Sequence, residues 1–292
     1  MKVTLLGTGS PVPSLKRASA GYMVEVGSDV VLIDHGPGCF RNMMQAGIAA
    51  TDVTHVIFSH LHFDHCADFI RLFFHRWDIG RPGLAPMKVF GPPGLKEMVD
   101  KIFGLEGAFK IDLTARTSHS NSLEIYKSRG GQGNRPWPEA DINEVKESDE
   151  ITGDGWKVIL ATVPHHQPYL HCYGVRLEAD GAVLAYSSDI SLPAEKGPAK
   201  PLYGLAKDAD LMVHYLNSFS FDMEKESAGA PSKQQVVGQL AEECNVKILV
   251  TSHHGPTIDQ DGTRERVIAD VAKNYSGKLI WGEDLMSFEL EA

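Results

Sequence analysis

Two apolar periods alternate along the chain. "KVTLL" (Lys2–Leu6) is a strand-like run ending on the turn "GTGSPVP". "GYMVEVGSDVVLIDHGPG" reads as two strands joined near Gly27 and Ser28, the second ending at Asp34. "CFRNMMQAGI" predicts a short helix and "THVIFSH" a buried strand. In "CADFIRLFFHRW" the apolar residues Phe69, Phe73 and Trp77, with Ile70 and Phe74, recur four apart, which predicts a helix with one buried face. "MKVFGPP" is a further strand and "GLKEMVDKIF" a further helix. Later, "WKVILATVPH", "CYGVRLEAD", "AVLAYSSD" and "ADLMVHY" predict four strands. "SKQQVVGQLAEEC" predicts a helix, "VKILVTSHHGP" a strand ending on histidines, "DGTRERVIADVAKNY" a late helix, and "KLIWGEDLMSFEL" one or two short strands. Between the halves, Gly104 to Glu150 is polar and rich in Gly, Pro and Ser, and is expected to be an insertion or long loop with little regular structure. Strand blocks alternate with helices and no repeat is visible. This predicts α/β layers in a single domain, 1–292, carrying that insertion.

Composition narrows the function classes. The 292 residues are 42% hydrophobic, enough for a sizeable core. Lys and Arg number 28 against 38 Asp and Glu, so the formal charge is −10 and no global field attracts a polyanion such as RNA. Cys39, Cys66, Cys172 and Cys244 are scattered with no CxxC pair, which suits free thiols in a reducing compartment. The start lacks a signal-peptide core, and no run approaches the ~18 apolar residues of a membrane span. The expectation is a soluble cytoplasmic protein with no membrane partner. "GTGS" lacks the third glycine of a dinucleotide loop and the lysine of a phosphate loop, and no G-x-S-x-G serine elbow is present.

The chemistry concentrates in "VIFSHLHFDHCADF", where His60, His62, Asp64 and His65 follow an apolar strand. Side chains at i and i+2 of an extended segment point the same way, so His60 and His62 can grip one ion. Asp64 and His65 come as the chain turns into the next helix and can face a second. Imidazole nitrogen and carboxylate oxygen are donors that zinc accepts and that manganese or iron tolerates. Three imidazoles and a carboxylate crowded together call for a cation.

"SHLHFDH" resembles the signature of the metallo-β-lactamase superfamily of dinuclear hydrolases, and the resemblance implies three more ligands at later strand ends. "ATVPHHQPYLHCYGVRLE" supplies His165, with His166 as its rival and His171 as a loop residue or one that supports a ligand from behind. "AVLAYSSDI" supplies Asp189 as a bridging carboxylate, with a serine before it where the family usually has glycine. "ILVTSHHGP" supplies His253, with His254 its neighbour. The implied sets are His60, His62 and His165 for one metal, and Asp64, His65 and His253 for the other, with Asp189 between them. Asp34 in "LIDHGPG" matches an early aspartate that orients a ligand; a strand-end turn residue is the competing reading. The resemblance runs from about Met1 to Pro256, with 104–150 outside it. It implies an αβ/βα four-layer sandwich: two mixed β-sheets face to face, helices outside, and two divalent ions at the sheet edge, zinc first, manganese or iron otherwise.

The implied reaction is attack by a metal-bridging hydroxide on an ester-type bond, with Asp64 and His214 as catalytic residues. "LLGTGSPVP", "LIDHGPG", "VFGPPGLKEMV" and "LAKDADLMVHY" resemble the branch containing ribonuclease Z, arylsulfatase-like enzymes and small phosphodiesterases. That branch usually carries "HEAT" where this chain has "HYLN". His214 matches its histidine, a proposed proton donor, while Tyr215 replaces the acidic partner. A histidine merely packed at the strand end is the competing reading of His214. The first expectation is a phosphodiester or related small-molecule ester as substrate, with homodimers common in the branch. Ribonuclease Z, arylsulfatase-like or lactonase activity, or a metal-bound sensor with negligible turnover, are the alternatives. Transfer RNA is not expected, because short ribonuclease Z forms carry a long arm where this chain has only "LEADGAVLAYSS". Arg116, Lys127, Arg129 and Arg135 lie near Tyr126 and Trp137 in the insertion, as a small anion-binding patch or a solvated loop.

Overall fold

The structure is a computed structural model that describes residues 1–147, 149–191, 197–216 and 232–291. β1 (Lys2–Gly7), β2 (Gly21–Val26) and β3 (Asp29–His35) pair antiparallel. β4 (His55–Ile57), β5 (Lys88–Gly91) and β6 (Asp141–Glu144) continue that sheet in parallel, and β14 (Ser287–Glu289) joins its far edge against β1. The second sheet begins with β7 (Glu150–Thr152), β8 (Trp156–Thr162), β9 (Tyr173–Ala179) and β10 (Ala182–Tyr186), all antiparallel. β11 (Leu211–Tyr215), β12 (Ile248–Ser252) and β13 (Lys278–Trp281) extend it in parallel. The two orders are β14-β1-β2-β3-β4-β5-β6 and β13-β12-β11-β10-β9-β8-β7.

Strand alternation sorts the side chains into layers. Val3, Leu5, Tyr22, Val24, Val31 and Ile33 of the first sheet meet Val158, Leu160, Val175, Leu177, Leu184 and Val213 of the second in one core. The opposite face of the first sheet, with Leu6, Met23, Leu32, Val56 and Val89, is covered by α1 (Cys39–Gln45), α3 (Phe69–Ile79) and α4 (Leu95–Phe103). The outer face of the second sheet is covered by α7 (Lys200–Ala206), α8 (Lys233–Glu243) and α9 (Thr263–Val271), through Leu202, Leu205, Val237, Leu240 and Val267. Helix, sheet, sheet, helix is the four-layer sandwich that the resemblance implied. Both strand faces are apolar because both are covered.

The insertion differs from its expectation. It contains α5 (Lys110–Ser118) and α6 (Ser120–Ser128) and contributes β6 to the first sheet. Its few apolar residues form no continuous stripe: Leu113 is buried, while Ile111 and Ile125 are exposed. Composition therefore resembled a loop. Helix α7 has no counterpart in the sequence reading either. All four cysteines are free and buried. Among the described residues no helix is long and apolar enough to cross a membrane.

Candidate metal centre

The site lies where strand ends of both sheets meet. β4 ends at Ile57, and the next residues, through α2 (Phe63–Cys66), carry His60, His62, Asp64 and His65. His165 follows β8, Asp189 follows β10 and His253 follows β12. The structure brings all seven together. Donor atoms of His60, His62, His165 and Asp189 lie within 4.8 Å of one another, as do those of Asp64, His65 and His253. Asp189 reaches both groups: its carboxylate is 3.5 Å from His65 Nε2, 3.4 Å from His253 Nε2 and 3.8 Å from His165 Nε2. Asp64 Oδ2 lies 3.2 Å from His253 Nε2 and 3.5 Å from His65 Nε2.

The surroundings decide which ring nitrogen faces inward. Ser59 Oγ donates to Asp34 Oδ2 at 2.7 Å, so at 3.0 Å it can only accept from His60 Nδ1–H. That leaves His60 Nε2 unprotonated and turned to the cluster. His65 Nδ1–H donates to Asp34 Oδ2 at 2.8 Å, leaving its Nε2 inward. Asp34 also accepts from Ser59 N–H at 2.8 Å and from the Tyr186 hydroxyl at 3.0 Å. The early aspartate is thus a buried acceptor of four hydrogen bonds that orients its neighbours. His165 Nδ1 meets Ser191 Oγ at 3.0 Å, and its Nε2 approaches His62 Nδ1 at 3.2 Å.

Burial pushes the His60 imidazole well below its ordinary pKa and holds His165 at about 4, so both rest neutral, the form that binds metal. Burial alone would raise Asp189, but His253 and His65 outweigh it and keep the carboxylate ionised. Burial would lower His65 likewise, but the Asp189 and Asp34 carboxylates draw positive charge onto it. The fit to a cation rests on two orphaned atoms: His65 Nε2 and Asp189 Oδ1 are buried, face each other, and have no hydrogen-bond partner. His60 Nε2 and His62 Nδ1 lie 3.1 Å apart, two further donor atoms of the same group. Divalent cations satisfy these donors together, and the nitrogen-rich set suits zinc, manganese or iron.

Three site residues adopt left-handed backbone: Asp34 (φ 57°), Ser188 (φ 55°) and His253 (φ 64°). Ser188 stands where glycine is usual in the family. It takes the conformation glycine adopts freely, while Ser187 Oγ donates to its carbonyl at 2.8 Å. His254 is not among the donors; its ring stacks on Trp281 with centroids 3.7 Å apart. His214 is buried, its Nδ1–H donates to the Tyr215 carbonyl at 2.6 Å, and burial lowers its pKa to about 4. Its only ring proton is therefore committed to a carbonyl. Tyr215 packs on His253 with centroids 4.7 Å apart, and Asn217, the end of "HYLN", lies outside the described residues. Sequence reasoning missed Ser59, Tyr186 and Ser191, which act through hydrogen bonds between distant segments and carry no spacing signal.

The Metallo-beta-lactamase superfamily profile matches residues 16–253. A Ribonuclease Z of Mycobacterium sp. (strain KMS) is 31% identical over 99% of this chain and 96% of its own length. One of Mycolicibacterium gilvum (strain PYR-GCK) is 28% identical over 98% and 94%. The crystal structure of the metallo-beta-lactamase fold protein YhfI from Bacillus subtilis superposes with a TM-score of 0.71 at 17% identity, covering 99% of this chain and 98% of that one. These relatives overturn one expectation. Net acidity and a missing arm were taken to disfavour tRNA and to favour a small-molecule ester, yet the relatives aligned over nearly the whole chain are named for a ribonuclease. Net charge failed as a guide because binding depends on the field at a site, not on the sum over the molecule. The chain belongs to the metallo-beta-lactamase superfamily and is a metal-dependent hydrolase of that family.

Proposed function

We propose that this protein is a dinuclear phosphodiesterase that cleaves RNA, with ribonuclease Z activity on tRNA precursors as its first candidate reaction. The observation that carries the reading is the whole-length likeness to proteins named Ribonuclease Z, at 28% and 31% identity. The two donor sets, one containing Asp189 and the other within 3.5 Å of its carboxylate, support it, because a phosphodiester needs charge offset on its non-bridging oxygens and activation of a water. Bound divalent ions, zinc first, would supply both.

The roles of the chain's own residues follow. His60, His62 and His165 would hold one ion and Asp64, His65 and His253 the other, with the Asp189 carboxylate close to both sets. Asp34 keeps His65 Nδ1 protonated and its Nε2 inward. Asp64, at the N-terminal turn of α2, also turns its carboxylate toward His253. His214 serves as proton donor to the leaving oxygen only where an anionic substrate beside it raises its pKa from about 4. RNA is gripped by surfaces other than a β9–β10 arm, since those strands meet in the two-residue turn Asp180–Gly181.

The test is incubation of metal-reconstituted protein with a 3′-extended tRNA precursor, with His60→Ala as the blank. Cleavage by the wild type, lost by at least about 100-fold in the variant, is expected. An intact precursor beside efficient hydrolysis of bis(p-nitrophenyl) phosphate would overturn the RNA assignment.

A further inference from the structure

Three inward imidazoles at this site have a partner on the nitrogen that faces away from the cluster, whereas His253 Nδ1 is buried without one. For His60 the partner is Ser59, for His65 it is Asp34, and for His165 it is Ser191. His62 differs. It faces the cluster through Nδ1, 3.1 Å from His60 Nε2 and 3.2 Å from His165 Nε2, so its Nε2 points away. It is also only partly buried, whereas His60 and His65 are fully enclosed, so packing holds it less firmly. Its outward Nε2 lies 3.3 Å from Nδ1 of His166.

The geometry points to His166 as the positioning residue for His62. A neutral imidazole carries one ring proton. Placed on His62 Nε2 and donated to His166 Nδ1, that proton leaves His62 Nδ1 as a lone pair aimed at the metal position. His166 is itself held in place. Its ring lies flat on His165, centroids 4.1 Å apart and planes 12° apart, and Tyr169 N–H caps its carbonyl at 3.1 Å. His165 in turn is tied to Ser191 and, through its backbone N–H, to Gln167 Oε1 at 2.7 Å. The paired histidines thus divide the work. His165 offers Nε2 inward, and His166 stands behind His62, outside the donor groups that close to within 4.8 Å. This keeps the order in which the sequence ranked the two residues, His165 ahead of His166, and gives His166 a separate place.

The inference rests on the metal-site reading above, and its test reads metal affinity rather than turnover. Wild type, His166→Ala and His166→Asn are stripped, then titrated with zinc against a chelating dye, and the melting of each metal-free protein is recorded. At saturation all three are expected to hold two ions. His166→Ala loses affinity for one ion by about 10- to 100-fold. His166→Asn, whose Oδ1 can accept from His62, recovers most of the loss, and metal-free melting is unchanged. Unaltered affinity in His166→Ala overturns the inference, and so does loss in both variants without rescue by asparagine. Saturation at one ion in His166→Ala also overturns it, making His166 a ligand. A wild type that binds no zinc fails the metal-site reading instead.

Discussion

Asp34 and His35 are neighbours on β3 with opposite fates. Asp34 turns into the site and satisfies four donors. His35 is fully buried with both ring nitrogens unpartnered, and burial pushes its pKa down to about 3. The unfolded imidazole titrates near 6.5. Above that pH neither state holds the proton, and the native fold keeps its full stability. As pH falls from 6.5 toward 3, only the unfolded chain takes it up, so stability is lost. Urea unfolding of metal-free protein at about pH 7.5 and pH 5.5 measures this. The wild type is expected to lose ~1.4 kcal/mol more than His35→Leu between the two. Equal losses would mean that His35 finds a partner in solution. From sequence, Asp34 was singled out by resemblance alone, with a strand-end turn residue as the competing reading, and His35 carried no signal. Which one faced the site depended on a left-handed turn that no local pattern specifies.

The helices divide by how much apolar face they own. Helix α3 was legible because Phe69 and Phe73 are buried on the spacing the sequence shows. Helices α5 and α6 were not, because they own few buried apolar residues and ion pairs share in attaching them. Arg116 and Arg135 converge on Asp78 of α3 at 3.0 and 2.8 Å, and Arg129 also bonds the Asp78 carbonyl. Arg135 further lies over the Trp77 ring, 3.9 Å from its centroid. Arg116, Arg129 and Arg135 of the suggested anion patch are thus already engaged with a carboxylate. Exposed pairs contribute little, but the Arg135 side chain is only 3% exposed, so removing its partner strands a buried charge. Asp78→Ala is expected to open residues 104–137 to trypsin while leaving the main melting transition near that of the wild type. An unchanged digestion pattern would assign the attachment to Leu113 and Trp137, the latter bonded to the Phe103 carbonyl at 2.6 Å.

At the scale of the whole molecule, the donors come from both sheets: four follow β4 in the first, and three follow β8, β10 and β12 in the second. Ions bound there would tie the halves together and stabilise the native state by mass action. A site at a free-metal concentration about 100 times its Kd adds ~2.7 kcal/mol. Chelation is therefore expected to lower the melting temperature by several degrees, with zinc restoring it in proportion to the logarithm of its concentration. A melting curve indifferent to both would remove metal from the account. The sheets are also joined without metal. Arg17 pairs with Asp259 and donates to the Gly282 carbonyl, and Asp284 accepts from Thr8 and Ala18. The sequence by itself determined the donor chemistry and the layered class, because strand-end histidines and apolar periods are local properties of the chain. Only the tertiary structure decided which nitrogen of each imidazole faces inward, that His165 rather than His166 joins the donor group, and that the insertion is helical. Those outcomes depend on hydrogen bonds and ion pairs between segments far apart in the chain, such as Asp34 with Tyr186, His62 with His166, and Asp78 with Arg135.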